Sequence, residues 1–263
     1  MIDHLKNIFR PITPKIVKKI YKFFRIDLED YVLLPKRNLQ YASDGLYTFN
    51  SADFRKDPLF KESYDLARKI DDDQLLSQND IPWRMHVLYW AGNHAKNIPG
   101  DFIDCGVNTG FCPRSLMHYI GFKKLNKRYF LLDTFSGLDP KYSTEKELIG
   151  NKFYSTQTGL YEKVKKTFSG FNVSIIKGSV PDTLSQVKTP AICFLHLDMN
   201  AAAPELAALD FFWEKISKGG IVLFDDYGFK EHADQKKTQD VWAKKHNVEI
   251  LSLPTGQGLL IKK

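Results

Sequence analysis

The chain has 263 residues, of which 43% are hydrophobic, 13% aromatic and 26% charged, with a formal net charge of +7 at pH 7. That balance is globular and excludes a disordered tail, a collagen-like repeat and a disulfide-dense miniprotein. The length fits one large α/β domain with an appendage, or two small domains. Three cysteines (Cys105, Cys112 and Cys193) without CxxC spacing suit neither a disulfide framework nor a zinc knuckle, and they point to a reducing, cytoplasmic setting.

No apolar run reaches the ~20 residues needed to span a bilayer, and the opening MIDHLKNIFRPITPK lacks the apolar core of a signal peptide. The positive charge is local. Residues 1–26 hold Lys6, Arg10, Lys15, Lys18, Lys19, Lys22 and Arg25 against only Asp3, which leaves the body nearly neutral. This layout argues against a nucleic-acid partner, because such enzymes spread basic residues along a groove. Residues 14–25 read as a short helix with Ile16, Ile20, Phe23 and Phe24 near one face. The helix could make a peripheral contact with an anionic membrane surface, or pack on the body or on the second subunit of a homodimer. Its short apolar stripe favours packing.

Residues 27–55 read as irregular and aromatic-rich, followed by helices over Pro58–Ile70, Asp72–Gln78 and Pro82–Lys96. From Gly100 onward, strands alternate with helices. The strands are expected at 101–105, 128–133, 172–177, 191–197, 220–225, 247–252 and 258–262, and the helices at 111–122, 158–169, 180–187, 203–217 and 230–245. Such alternation means a mostly parallel sheet covered by helices on both faces. Only Leu253–Gln257 separates the last two strands, too short for a crossover, so they pair as an antiparallel hairpin. This seven-stranded α/β pattern resembles the Rossmann-like class I methyltransferase fold with an N-terminal helical extension. The expected division is a basic arm and lid over 1–75 and the main domain over 76–263.

In open α/β sheets, ligands bind beyond the carboxyl ends of the strands. After the first strand of the main domain comes Asp104-Cys105-Gly106-Val107-Asn108-Thr109-Gly110, a turn that allows close backbone approach but lacks the GxGxxG dinucleotide fingerprint. Asp133 ends the second strand, where a carboxylate can accept both hydroxyls of a ribose. Lys177-Gly178-Ser179 follows the third strand and reads as a turn into a capped helix. The fourth and fifth strands end in His196-Leu197-Asp198-Met199-Asn200 and Phe224-Asp225-Asp226-Tyr227-Gly228. If those strands are neighbours, Asp198, Asp225 and Asp226 converge and need a cation, with Mg²⁺ first among candidates; separate capping or lysine pairing is the alternative. His196 shares the strand face of Asp198 and reads as a packed core histidine.

Taken together, GDFIDCGVNTG, LLDTFSGL, FLHLDMN, PELAALDFFWEKISKGGIVLFDDYG and TGQGLLIKK resemble the macrocin O-methyltransferase family, which includes sugar and aminocoumarin-sugar O-methyltransferases. The resemblance covers residues from about 80 to 263. It implies an S-adenosylmethionine-dependent methyltransferase whose cofactor lies among Asp104, Gly106, Asn108, Thr109, Asp133, Thr134, Phe135, Gly178 and Ser179. It also implies Mg²⁺ on Asp198, Asp225 and Asp226. One departure stands out: the family's second aspartate of LDxD, its proposed general base, is Asn200 here and is followed by three alanines. An amide cannot take up a proton near neutral pH. The catalytic candidates are therefore Asp198, Asn200 and, in the loop after DDYG, His232. The expected reaction is methylation of a hydroxyl on a sugar or glycosylated small molecule. A non-sugar diol or catechol acceptor, or cofactor binding without catalysis, remains open.

Overall fold

The computed structural model describes residues 39–71, 76, 79–150, 154 and 158–263. The expected basic helix over 14–25, with its membrane or subunit contact, and most of the expected helix over 72–78 lie outside the described residues.

A small antiparallel hairpin, β1 (Tyr41–Ser43) and β2 (Leu46–Thr48), precedes two helices, α1 (Pro58–Asp71) and α2 (Pro82–Ala95). The hairpin falls where an irregular stretch is expected. Its strands are three residues each, too short for a period-two pattern. Its turn is Asp44-Gly45, with φ of 51° and 71°, a pair suited to the left-handed positions of a two-residue hairpin turn.

The main sheet has seven strands in the order β5-β4-β3-β6-β7-β9-β8. They are β3 (Asp101–Cys105), β4 (Tyr129–Asp133), β5 (Val173–Lys177), β6 (Ile192–Leu197), β7 (Ile216–Phe224), β8 (Leu251–Ser252) and β9 (Gly258–Ile261). The first five in spatial order are parallel, while β9 runs antiparallel to both β7 and β8. The helices between them are α3 (Phe111–Tyr119), α4 (Glu145–Gly150), α5 (Leu160–Thr167), α6 (Ala202–Phe212) and α7 (Ala233–Lys245).

Side-chain alternation along the central strands feeds two cores. Phe102, Tyr129, Leu131, Phe194, Ile221 and Leu223 join α1, α2, α3 and α5 on one face. Ile103, Phe130, Leu132, Leu195, Val222 and Phe224 join α6 and α7 on the other. Burial on both faces is why these strands read as continuous apolar runs.

The expected helix over 180–187 is instead a turn followed by one short 3₁₀ turn at Leu184–Gln186. Pro181 supplies no N–H, and Thr183 binds back to the Ser179 carbonyl through both its N–H and its hydroxyl. The helix expected over 203–217 stops at Phe212, because Ile216 already belongs to β7. α4 is not among the expected helices. Thr144 and Glu147 start it with a reciprocal capping box, in which the Thr144 N–H donates to Glu147 Oε2 at 2.7 Å and the Glu147 N–H to Thr144 Oγ1 at 3.3 Å.

The strand order reverses between β3 and β6, and there the backbones come closest. Gly106 has φ +94°, and a Cβ built on it would lie 1.8 Å from the Asp198 carbonyl oxygen. Gly106→Ala must therefore push the two strand ends apart, and it should cost about 3 kcal/mol or more in chemical denaturation. A stability equal to wild type would mean that the close approach is not a constraint.

Candidate active site

A cavity of about 360 Å³ opens at the carboxyl ends of β3, β4, β5, β6 and β7. It has two chemically distinct ends.

At the end formed by β4 and β5, the wall mixes small polar groups with apolar side chains such as Leu138 and Val180. Gly106, Asn108, Asp133, Thr134, Gly178 and Ser179 all line it. Asp133 Oδ2 accepts N–H bonds from Val107 at 2.7 Å and Asn108 at 2.8 Å, while Oδ1 accepts the Phe135 N–H at 2.5 Å. Burial pushes the Asp133 carboxyl upward, and these three N–H groups oppose that rise. One carboxylate thus shapes the loop after β3. Three of its roughly four acceptor positions are filled from the protein, so the room left for a ligand hydroxyl is on Oδ1.

Three residues expected beside a cofactor do not line this cavity. Asp104 is fully buried beneath it, 3.2 Å from His196 Nδ1. Thr109 is fully buried too. Phe135 turns into the core against Tyr161, with ring centroids 5.2 Å apart. Asp104 points inward because its strand position shares the face of Phe102.

The other end, formed by β6 and β7, is strongly charged. Asp198, Asn200, Asp225, Asp226 and His232 line it, as does Arg84 from α2. The ladder continues past the strands, with the Asp198 N–H bound to the Cys105 carbonyl and the Asp225 N–H to the Leu197 carbonyl, which sets the aspartates side by side. Arg84 Nη1 donates to Asp225 Oδ2 at 2.7 Å and stands 3.8 Å from Asp226 Oδ1. Its Nε and Nη2 donate to the two oxygens of Asp44, at 2.8 and 3.1 Å. Gln257 donates to Asp225 Oδ1 at 2.9 Å. His196 Nε2 lies 3.8 Å from the same oxygen.

The charges sort themselves accordingly. Burial opposes ionisation of Asp225, but Arg84 and His196 hold it well below the usual carboxylate range. Asp198 and Asp226 go the other way, raised by burial and then by the charge of Asp225. Burial alone would lower His196, but Asp104 and Asp225 outweigh it and raise it well above the ordinary imidazole value. His196 is the packed, hydrogen-bonded core histidine that its strand position suggests.

The expected metal site takes a different form. Among the described residues, no group of three or more His, Cys, Asp or Glu side chains is disposed to hold a metal ion. Both Asp225 oxygens accept hydrogen bonds from protein donors, and the cation facing the aspartates is a guanidinium.

Sequence reasoning passed over Arg84, and nothing near it in the chain marks it. It also passed over Glu205, a carboxylate only 2% exposed on the buried, otherwise apolar face of α6. Glu205 Oε1 accepts the Met199 N–H at 3.0 Å and a Gln235 amide N–H at 2.8 Å, and Oε2 accepts a Gln239 amide N–H at 2.7 Å. It ties the Asp198–Asn200 turn to α7. The signal was available, because a lone acidic residue on an all-apolar helix face is buried with partners.

Burial, with the Asp226 charge adding to it, pushes the Glu205 carboxyl from its ordinary 4.5 up to about 8. Between those two values the folded protein holds a proton that the unfolded chain releases. The contribution to stability is therefore complete below pH 4.5 and is lost as pH rises through about 8, at about 1.4 kcal/mol per pH unit of the window. Glu205→Gln should fold, since the Gln239 side-chain oxygen is buried without a partner and can turn to accept the new amide. Its denaturation free energy should fall less steeply than wild type across this range. Parallel curves for the two proteins would mean that Glu205 is ionised in the fold.

The comparisons with known proteins speak for the family and the fold. The model of the macrocin-O-methyltransferase (TylF) family matches residues 85–250. Among solved structures, the O-methyltransferase NovP superposes with a TM-score of 0.59 at 18% identity, covering 68% of this chain and 79% of that one. The calicheamicin methyltransferase CalS11 gives 0.57 at 16% identity, covering 88% and 98%. A structure titled as apo CalS11, a TDP-rhamnose 3′-O-methyltransferase, gives 0.50 at 16% identity, covering 89% and 98%. A search of curated protein sequences returns no match. Identities this low speak for the fold, whereas the family match spans well over half of the chain: it is a member of the macrocin-O-methyltransferase family, and its reaction is O-methyl transfer.

Proposed function

We propose that this enzyme transfers a methyl group from S-adenosylmethionine to a hydroxyl of a sugar or of a glycosylated small molecule. The observation that carries the reading is one continuous cavity that runs from Asp133 and Gly178 at one end to the charged end at Asp198 and Asp225. A nucleoside suits the first, and a polyhydroxylated acceptor suits the second. The similarity to CalS11, a TDP-rhamnose 3′-O-methyltransferase, supports a sugar acceptor.

The donor supplies an activated methyl carbon, and displacement at that carbon is in line. The chain's task is to align the acceptor oxygen and receive its proton. Asp133, with Oδ1 open to one more hydrogen bond, accepts a ribose hydroxyl and keeps the 107–108 backbone in position. Asn200 can orient the acceptor but not deprotonate it. Among the ionisable groups that line the same end of the cavity, Asp198 and His232 are the candidates to take the proton.

Asp133→Ala should weaken binding of S-adenosylhomocysteine at least about tenfold, since it removes a charged acceptor of several hydrogen bonds. Calorimetry with unchanged affinity in a folded variant would remove that role. On a panel of nucleotide-activated and glycosidic sugars, Asp198→Asn should lower kcat far more than Asn200→Ala, and Asn200→Asp should be tolerated. An inactive Asn200→Ala beside a near-normal Asp198→Asn would reverse the assignment. Binding of S-adenosylhomocysteine without methylation of any acceptor would favour a cofactor-binding protein.

A further inference from the structure

We propose that Arg84 is the resident cation of the charged end, so that a divalent ion can bind the aspartates there only by displacing it. Both oxygens of Asp225 already accept a protein donor, Oδ2 from Arg84 at 2.7 Å and Oδ1 from Gln257 at 2.9 Å. An ion seeking Asp225, Asp226 and Asp198 together meets a guanidinium in front of the first and 3.8 Å from the second.

Arg84 is not a surface side chain that can swing aside freely. Its side chain is 17% exposed and is gripped in a fork by both oxygens of Asp44. Bidentate pairing of this kind fixes the plane of the guanidinium as well as its position. Asp44 is itself set by the tight turn of the β1–β2 hairpin, and the Phe229 ring lies 4.9 Å from the guanidinium carbon. The side chain is thus held from α2, from the hairpin and from the segment after β7. Asn200 lines the same end of the cavity and points the same way, because an amide is a weaker ligand for a hard cation than a carboxylate.

Arg84 is on this account a positioning residue. It orients Asp225 and balances the charge of the rim, and it couples the hairpin to the acceptor end of the cavity.

The inference takes the cavity as the methyl-transfer site but is tested without an acceptor. Protein loaded with S-adenosylhomocysteine is titrated with MnCl₂ in a calorimeter, with circular dichroism as the check of folding. Arg84→Gln should bind Mn²⁺ at least about tenfold more tightly than wild type, and adding Asp226→Asn to it should abolish the gain. Arg84→Lys keeps the positive charge and should stay with wild type. Wild type binding Mn²⁺ as tightly as Arg84→Gln, a folded Arg84→Gln without any gain, or Arg84→Lys gaining as much as Arg84→Gln would overturn the proposal. If Arg84→Gln does not fold, wild type alone decides, because an ion bound only to the folded state raises its melting temperature. The melting temperature should be the same in EDTA and in millimolar Mn²⁺, and a rise of several degrees with Mn²⁺ would overturn the proposal. Cofactor affinity, read in the same samples, reports separately on the methyltransferase reading.

Discussion

Asp104, Asp198, Asp225 and Asp226 stand at the shared rim of β3, β6 and β7, where little water reaches them and any unpaired charge is costly. Two cations answer them. His196 bridges Asp104 and Asp225 from within the sheet, and Arg84 reaches Asp225 and Asp226 from α2. Through these two side chains the rim becomes a joint between parts of the chain far apart in sequence: the hairpin, α2, three central strands and the turn before β9. The arrangement resists loss of a single partner, since a stranded carboxylate would have to be neutralised by a proton instead.

The two ends of the cavity solve different problems with different materials. At the β4–β5 end Asp133 holds the backbone N–H groups of Val107 and Asn108 and so fixes the loop after β3. The β6–β7 end depends on particular side chains, and Glu205 supports it from below by holding the Met199 N–H and two glutamines of α7.

The parallel strands were legible because both faces of each are buried, so β4, β6 and the second half of β7 read as largely apolar runs that lead to Asp133, Asp198 and Asp225. Period-two alternation also predicted the inward face of His196. The same parity argument applied to Asp104 would have sent it beneath the cavity, where it lies. α4 carried a visible Thr144–Glu147 capping signal that its brevity hid. Arg84 was not legible in any local pattern. Its partners are 40 and 141 residues away, and only the closed sheet brings them together. The cation that the aspartates demand could be inferred from their spacing, whereas its chemical nature could not.

β9 lies between β7 and β8, although the chain makes β8 first. During synthesis the edge of β7 therefore stays unpaired until residues 258–261 have emerged, leaving Ile221–Phe224 as an open, apolar template for other chains. Gln257, which completes the hydrogen bonding of Asp225, arrives in the same stretch. A nascent chain halted after α7 thus has an exposed strand edge and a half-neutralised rim for as long as the pause lasts.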